Sequence, residues 1–92
     1  MRDSSDPDHE VDLHGLPPEQ ALRRLAQELH AARVRGARSV LVITGRGWGN
    51  LAQKPILRGI VEAWLRGPEA QRLGVRSSRV VAKGGALDVA LG

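Results

Sequence analysis

Asp12 and His14 stand two residues apart in the run Val11-Asp12-Leu13-His14-Gly15. On an extended strand that spacing puts both side chains on one face. An imidazole with a reference pKa of about 6.5 can move a proton at neutral pH, and a carboxylate beside it can orient the ring or act as the base. Glu10 shares the face as a third, weaker candidate. About thirty residues later comes Thr44-Gly45-Arg46-Gly47-Trp48-Gly49-Asn50, with three glycines in five residues. Glycines let the backbone approach a ligand closely, and a strand that opens into such a loop before a helix offers N–H groups to a phosphate. Arg46 and Lys54 add positive charge on either side.

An acid, an imidazole and a phosphate cradle are the parts that phosphodiester cleavage needs. Something must deprotonate the attacking oxygen, here His14 or Asp12. Arg46 and the N–H groups of Gly45 to Gly49 would serve the charged phosphate oxygens. RNA carries its own nucleophile in the 2′-hydroxyl. DNA needs an external water, which a divalent metal ion such as Mg or Mn would help to activate. Two residues are too few for a protein-only metal site, so no metal ligand is assigned.

The same residues have plainer uses. Asp12 and His14 can simply bond each other and the start of the next helix. His9, at the tail junction, reads as solvated, and His30 as a boundary residue. Trp48 has little core to enter from a glycine loop; it either stacks on a base, worth roughly 1–3 kcal/mol, or folds back over the second helix. Lys83 and Arg79, near the last turn, extend a basic surface or are merely solvated.

The positioning elements follow from periodicity. Residues 9–14 alternate and form a short strand. A helix runs from about residue 17 to 35, with Leu22, Leu25, Ala26 and Leu29 on one stripe. Val40-Leu41-Val42-Ile43 has no polar alternation and reads as a strand buried on both faces. Leu57, Ile60, Val61, Trp64 and Leu65 mark a second helix, with Trp64 in the core and Gly67-Pro68 closing it. Residues 69–74 read as a loop, 75–82 as a strand, Lys83-Gly84-Gly85 as a turn and 86–91 as a last strand. The expected fold is α/β: a two-layer βαβαββ sandwich with a four-stranded mixed sheet and two helices on one face. Each crossover should give parallel pairing, and the last two strands a hairpin.

Ninety-two residues make one domain, and 41% apolar content is enough for a globular one. There is no cysteine, so disulfides and thiolate metal sites are excluded. No apolar run approaches the roughly 18 residues of a membrane span; the cytoplasm is the expected location and no membrane partner is expected. The net charge of +4 is unevenly placed: residues 1–12 hold five acids against Arg2 alone. Residues 1–8 read as a disordered acidic tail or linker stub, and 9–92 as the folded domain. The rest of the chain is strongly basic, and 12 of the 14 basic residues in the whole chain are arginine, whose fork matches phosphate. Nucleic acid is the favoured partner.

Three segments together resemble one family: Val11-Asp12-Leu13-His14-Gly15-Leu16, Ile43-Thr44-Gly45-Arg46-Gly47 and Gly85-Ala86-Leu87-Asp88-Val89. The first is similar to the DLHG motif and the second to the (T/H)GxG motif of the Smr (small MutS-related) domain, over about residues 9 to 91. In the third region, Ala82-Lys83-Gly84-Gly85-Ala86 keeps only the Gly-Ala of the family's GGxGA approach. The resemblance implies a fold like the C-terminal domain of bacterial translation initiation factor three. It also implies an endonuclease that nicks DNA or cleaves RNA, in DNA repair or in ribosome quality control with the ribosome as a partner. Asp12 and His14 match the catalytic motif; Thr44, Gly45, Arg46, Gly47, Trp48 and Gly49, with Lys54 and Lys83, are the expected nucleic-acid contacts. The rival readings are a non-catalytic nucleic-acid or ribosome-binding module of a larger protein, and a small-molecule phosphate enzyme. The last is disfavoured because GRGWGN fits neither GxGxxG nor GxxxxGK[ST].

Overall fold

The computed structural model describes residues 9–45 and 56–92. The expectations for the tail 1–8 and for Arg46, Gly47, Trp48, Gly49 and Lys54 lie outside the described residues. Strand β1 (His9–Asp12) is followed by helix α1 (Pro18–Val34), strand β2 (Ser39–Ile43), helices α2 (Ile56–Leu65) and α3 (Pro68–Arg72), and strands β3 (Val75–Val81) and β4 (Ala86–Leu91). Proline opens α1 where its missing N–H costs nothing. The helix closes in a Schellman arrangement, with Ala37 N–H on the Ala32 carbonyl and Gly36 N–H on that of Arg33. Ala21, Leu25, Leu29 and Ala32 form its buried stripe.

The sheet order is β1-β2-β4-β3. β1 pairs parallel with β2, and β4 pairs antiparallel with both β2 and β3. One sheet face, with Val11, Val40, Val42, Leu87 and Val89, packs with Leu25 and Leu29 of α1 and Val61 and Leu65 of α2 into the core. The α/β two-layer fold with a mixed four-stranded sheet is the expected one.

Four details differ. β2 is not buried on both faces: Val40 and Val42 are buried, while Leu41 and Ile43 are half-buried on the face away from the helices. A run of four apolar residues does not distinguish these cases. The crossover from β2 does not give a paired parallel neighbour either, because β4 inserts between β2 and β3. Residues Pro68–Arg72 form a helix rather than a loop: Pro68 sits in its first turn and Ala70 is fully buried, in a segment too short to show a period. His9 is not solvated. Its side chain is 11% exposed, and its Nε2 lies 2.7 Å from Glu28 Oε1 on α1. Arg35 Nη1 lies 3.2 Å from Nδ1. A guanidinium only donates, so Nδ1 accepts and Nε2 carries the proton given to Glu28. Trp64 packs half-buried against the core, and His30 is exposed.

Leu25 is fully buried between α1 and the sheet. Leu25→Ala should cost about 2–5 kcal/mol, a large share of the stability of a small domain, and lower the urea midpoint with little change in slope.

Candidate active site at the carboxyl ends of the parallel strands

β1 ends because Asp12 folds its own carboxylate back. Oδ1 accepts the His14 backbone N–H at 3.0 Å, a local turn that aspartate forms readily. Leu13 is fully buried and its N–H still bonds the Ile43 carbonyl at 2.7 Å, so the turn stays anchored to β2. The chain then reverses through Gly15, at φ +79°, and Leu16 N–H closes on the Leu13 carbonyl. A third position with that φ is what a type II turn requires. His14 therefore stands in the turn just past the strand rather than on it.

The same Oδ1 of Asp12 lies 2.6 Å from His14 Nδ1. An ionised carboxylate can only accept, so Nδ1 carries a proton, and in the neutral form of the ring Nε2 keeps its lone pair. Side-chain exposure is 67% for His14 and 51% for Asp12, and Nε2 has no hydrogen-bond partner among the described residues. The hydrogen bond from the ring, then that from the backbone N–H, hold the Asp12 carboxyl below its ordinary value of 3.8; the charges of His14 and Arg24 add to this. Glu10 shares the strand face of Asp12 but pairs in register with Leu41 and bonds to neither site residue.

β2 delivers the second segment to the same place. Thr44 N–H and Gly45 N–H both donate to the Gly85 carbonyl at 3.0 Å. Gly45 has φ +81°, and a Cβ there would lie 3.3 Å from His14 Cβ. Glycine is thus required both by conformation and by the approach of the imidazole. Thr44 is buried, with its hydroxyl directed to the Gly45 carbonyl at 3.4 Å. The Gly45 N–H expected in a phosphate cradle is therefore spent on Gly85, and the Thr44 hydroxyl faces inward. What the pair does is lock the turn after β3 against the end of β2.

That turn, Ala82–Gly84, brings Lys83 to the same sheet end, exposed and at φ +54°, beside Ala82 at φ +53°. Two successive non-glycine residues in the left-handed region are uncommon. Arg58, in the first turn of α2, lays its guanidinium over Gly84: Nη1 would be 2.5 Å from a Cβ at that glycine. Its Nε lies 3.4 Å from Glu62 Oε1 but is buried without a well-aligned hydrogen bond. On the other side, a shallow open groove of about 220 Å³ is lined by Leu16, Gln20, Arg23, Arg24 and Gln27. Arg79 instead pairs with Asp88 across β3 and β4.

The sequence pattern thus locates Asp12, His14, Gly45 and Lys83 at one end of the sheet. It misses Arg58, hidden in an apolar helical stripe, and Arg24, which the position of α1 directly after the His14 turn could have flagged. Among the described residues no group of three His, Cys, Asp or Glu side chains could hold a metal ion. Asp12 is already committed to His14, so the described residues do not by themselves make a metal centre.

Comparison with known proteins bears on this end of the sheet. The Smr domain family model matches residues 11–91. The Smr domain of Thermus thermophilus MutS2 superposes with a TM-score of 0.72 at 31% identity, covering 91% of this chain and 98% of that one. The B3BP Smr domain gives 0.67 at 29% identity, covering 94% and 80%. The Smr domain of NEDD4-binding protein 2 gives 0.64 at 27%, covering 100% and 93%. No curated protein matches the chain.

Two outcomes are expected. Gly45→Ala should destabilise the domain by about 1–2 kcal/mol and displace the His14 ring, seen as a lower urea midpoint and shifted imidazole resonances. The Asp12 carboxyl is depressed on folding, so its contribution to stability is complete above the ordinary value of 3.8 and is lost as pH falls through the lower folded value. Asp12→Asn should flatten that acid limb when urea midpoints are plotted against pH.

Proposed function

The chain belongs to the Smr domain family, a nucleic-acid-binding and nuclease-type module, and from that premise we propose that it is an endonuclease with RNA as its preferred substrate. The observation that carries this reading is the 2.6 Å contact between Asp12 and His14 in an exposed turn beside Gly45. It leaves one ring nitrogen outward and fixes the other, which is how a carboxylate orients a histidine base.

On RNA, His14 Nε2 takes the proton of a 2′-hydroxyl. The 2′-oxygen bonds to the adjacent phosphorus as the bond from phosphorus to the 5′-oxygen breaks. The 5′-oxygen takes up a proton, from the imidazolium or from water. The products are a 2′,3′-cyclic phosphate and a 5′-hydroxyl. Asp12 stabilises the imidazolium and holds the ring in place. Lys83, Arg58 and Arg24 place positive charge around the phosphate. For DNA, Asp12 and His14 would act on a water, and a divalent ion would supply a more acidic water there. Ribosome quality control and DNA repair are the settings this activity fits.

A second reading has its own observation. The Asp12 bonds that orient the imidazole also terminate β1, so the motif can be retained for structure, in a module that binds RNA, DNA or the ribosome without cutting.

Purified protein incubated with single-stranded and structured RNA should give products ending in 2′,3′-cyclic phosphate. His14→Ala should slow cleavage by about 10²–10⁴-fold with little change in binding. Equal cleavage by wild type and the Asp12→Ala/His14→Ala double variant would remove the catalytic reading. Salt-sensitive binding with no product at any time would establish the second one.

A further inference from the structure

The end of the sheet opposite Asp12 and His14 is also basic, and nothing in the proposed chemistry uses it. α1 carries 17 residues between the two ends, so they lie about 25 Å apart. Four arginines from four places in the chain lie at that end, and two of them, Arg33 and Arg38, line its cleft. Arg33, in the last turn of α1, donates from Nη1 to the Arg72 carbonyl at 2.8 Å. Its Cδ and Nε would sit 3.4 Å from a Cβ at Gly74. Arg76, where the β3 register shifts, lays its stem across Gly92. Arg38 leads into β2, and its carbonyl accepts the Leu91 N–H. An open cleft of about 360 Å³ lies among Arg33, Gly36, Ala37, Arg38, Leu91 and Gly92, with no acidic side chain in its lining.

All four arginines are exposed, and Arg33, Arg72 and Arg76 form no ion pair with a carboxylate among the described residues. Like charges so gathered repel one another and weaken the compact state. A helix C-terminus attracts cations, which accounts for Arg33 and for Arg72 in the last turn of α3. Arg76 is on a strand and answers no such dipole. Arginine forks beside an open cleft with no acidic side chain in its lining match phosphate oxygens.

We infer that this arginine cluster is a second nucleic-acid surface, which grips backbone phosphates of the same or an adjoining segment about 25 Å from the Asp12–His14 turn. It rests on the nucleic-acid reading above but not on cleavage. A duplex would present phosphates at both ends at once if it reaches about seven base-pair steps, at 3.4 Å each. The two ends would then hold the strand in register while sequence goes unread, since phosphate contacts position and base contacts specify.

The test is binding of the full chain to a B-form DNA duplex of about 20 base pairs by fluorescence anisotropy, from 50 to 200 mM salt. Arg72 and Arg76 make no side-chain hydrogen bond among the described residues. The Arg72→Gln/Arg76→Gln variant should therefore keep the fold, checked by its urea midpoint. Removing two phosphate contacts should lower the slope of log K against log salt by about 1.8, so that affinity falls roughly 12-fold less across that range than in the wild type. Arg72→Lys/Arg76→Lys keeps the charge and should keep the slope. An unchanged slope in the Gln variant, an equal loss in the Lys variant, or a loss of binding confined to an acidic peptide such as polyglutamate would each overturn the inference. A protein that cleaves nothing but keeps the arginine-dependent slope would remove the nuclease and leave this surface standing.

Discussion

One oxygen atom, Oδ1 of Asp12, sets the geometry of the candidate site. It accepts both the backbone N–H and the ring of His14. The first bond stops β1 and turns the chain toward α1. The second fixes which ring nitrogen holds the proton. Because Leu13 is buried and bonded to β2 between them, neither partner can shift without disturbing the parallel pair. The short DLHG segment therefore combines a strand terminator, a core anchor, an oriented imidazole and a turn glycine in four consecutive residues.

The second constraint is the Gly85 carbonyl. By accepting from Thr44 and Gly45 it joins the end of β2 to the turn between β3 and β4, and so brings Lys83 and Arg58 to the side of the sheet where His14 stands. The segments that resemble the family are thus far apart in the chain and contiguous in space. The family's glycine after threonine has a physical reason here, since any side chain at that position would press on His14 Cβ.

Patterns that depend on neighbours in the chain were readable in the sequence. The alternation in β1, the stripe of α1 and the glycine after it all name local hydrogen bonds or one buried face, and the elements match. What the sequence concealed depends on neighbours in space. Leu41 and Ile43 are apolar whether a second layer covers them or not. The insertion of β4 between β2 and β3 is set by how the hairpin docks, which no periodicity encodes. His9 reads as a tail residue until α1 brings Glu28 and Arg35 against it. At the site, the Asp12–His14 spacing is legible, while Arg58 is not, because its role comes from lying over Gly84, a contact made across the domain.

The place of β4 in the sheet bears on how the domain forms. The strand made last lies in the middle, bridging β2 on one side and β3 on the other. Until Ala86–Leu91 has been synthesised and released, β1–β2 and β3 have no common partner, and the Gly85 carbonyl cannot gather the Thr44 turn. Folding must therefore wait for nearly the whole domain to emerge, as a late and cooperative step rather than one that builds up from the amino end.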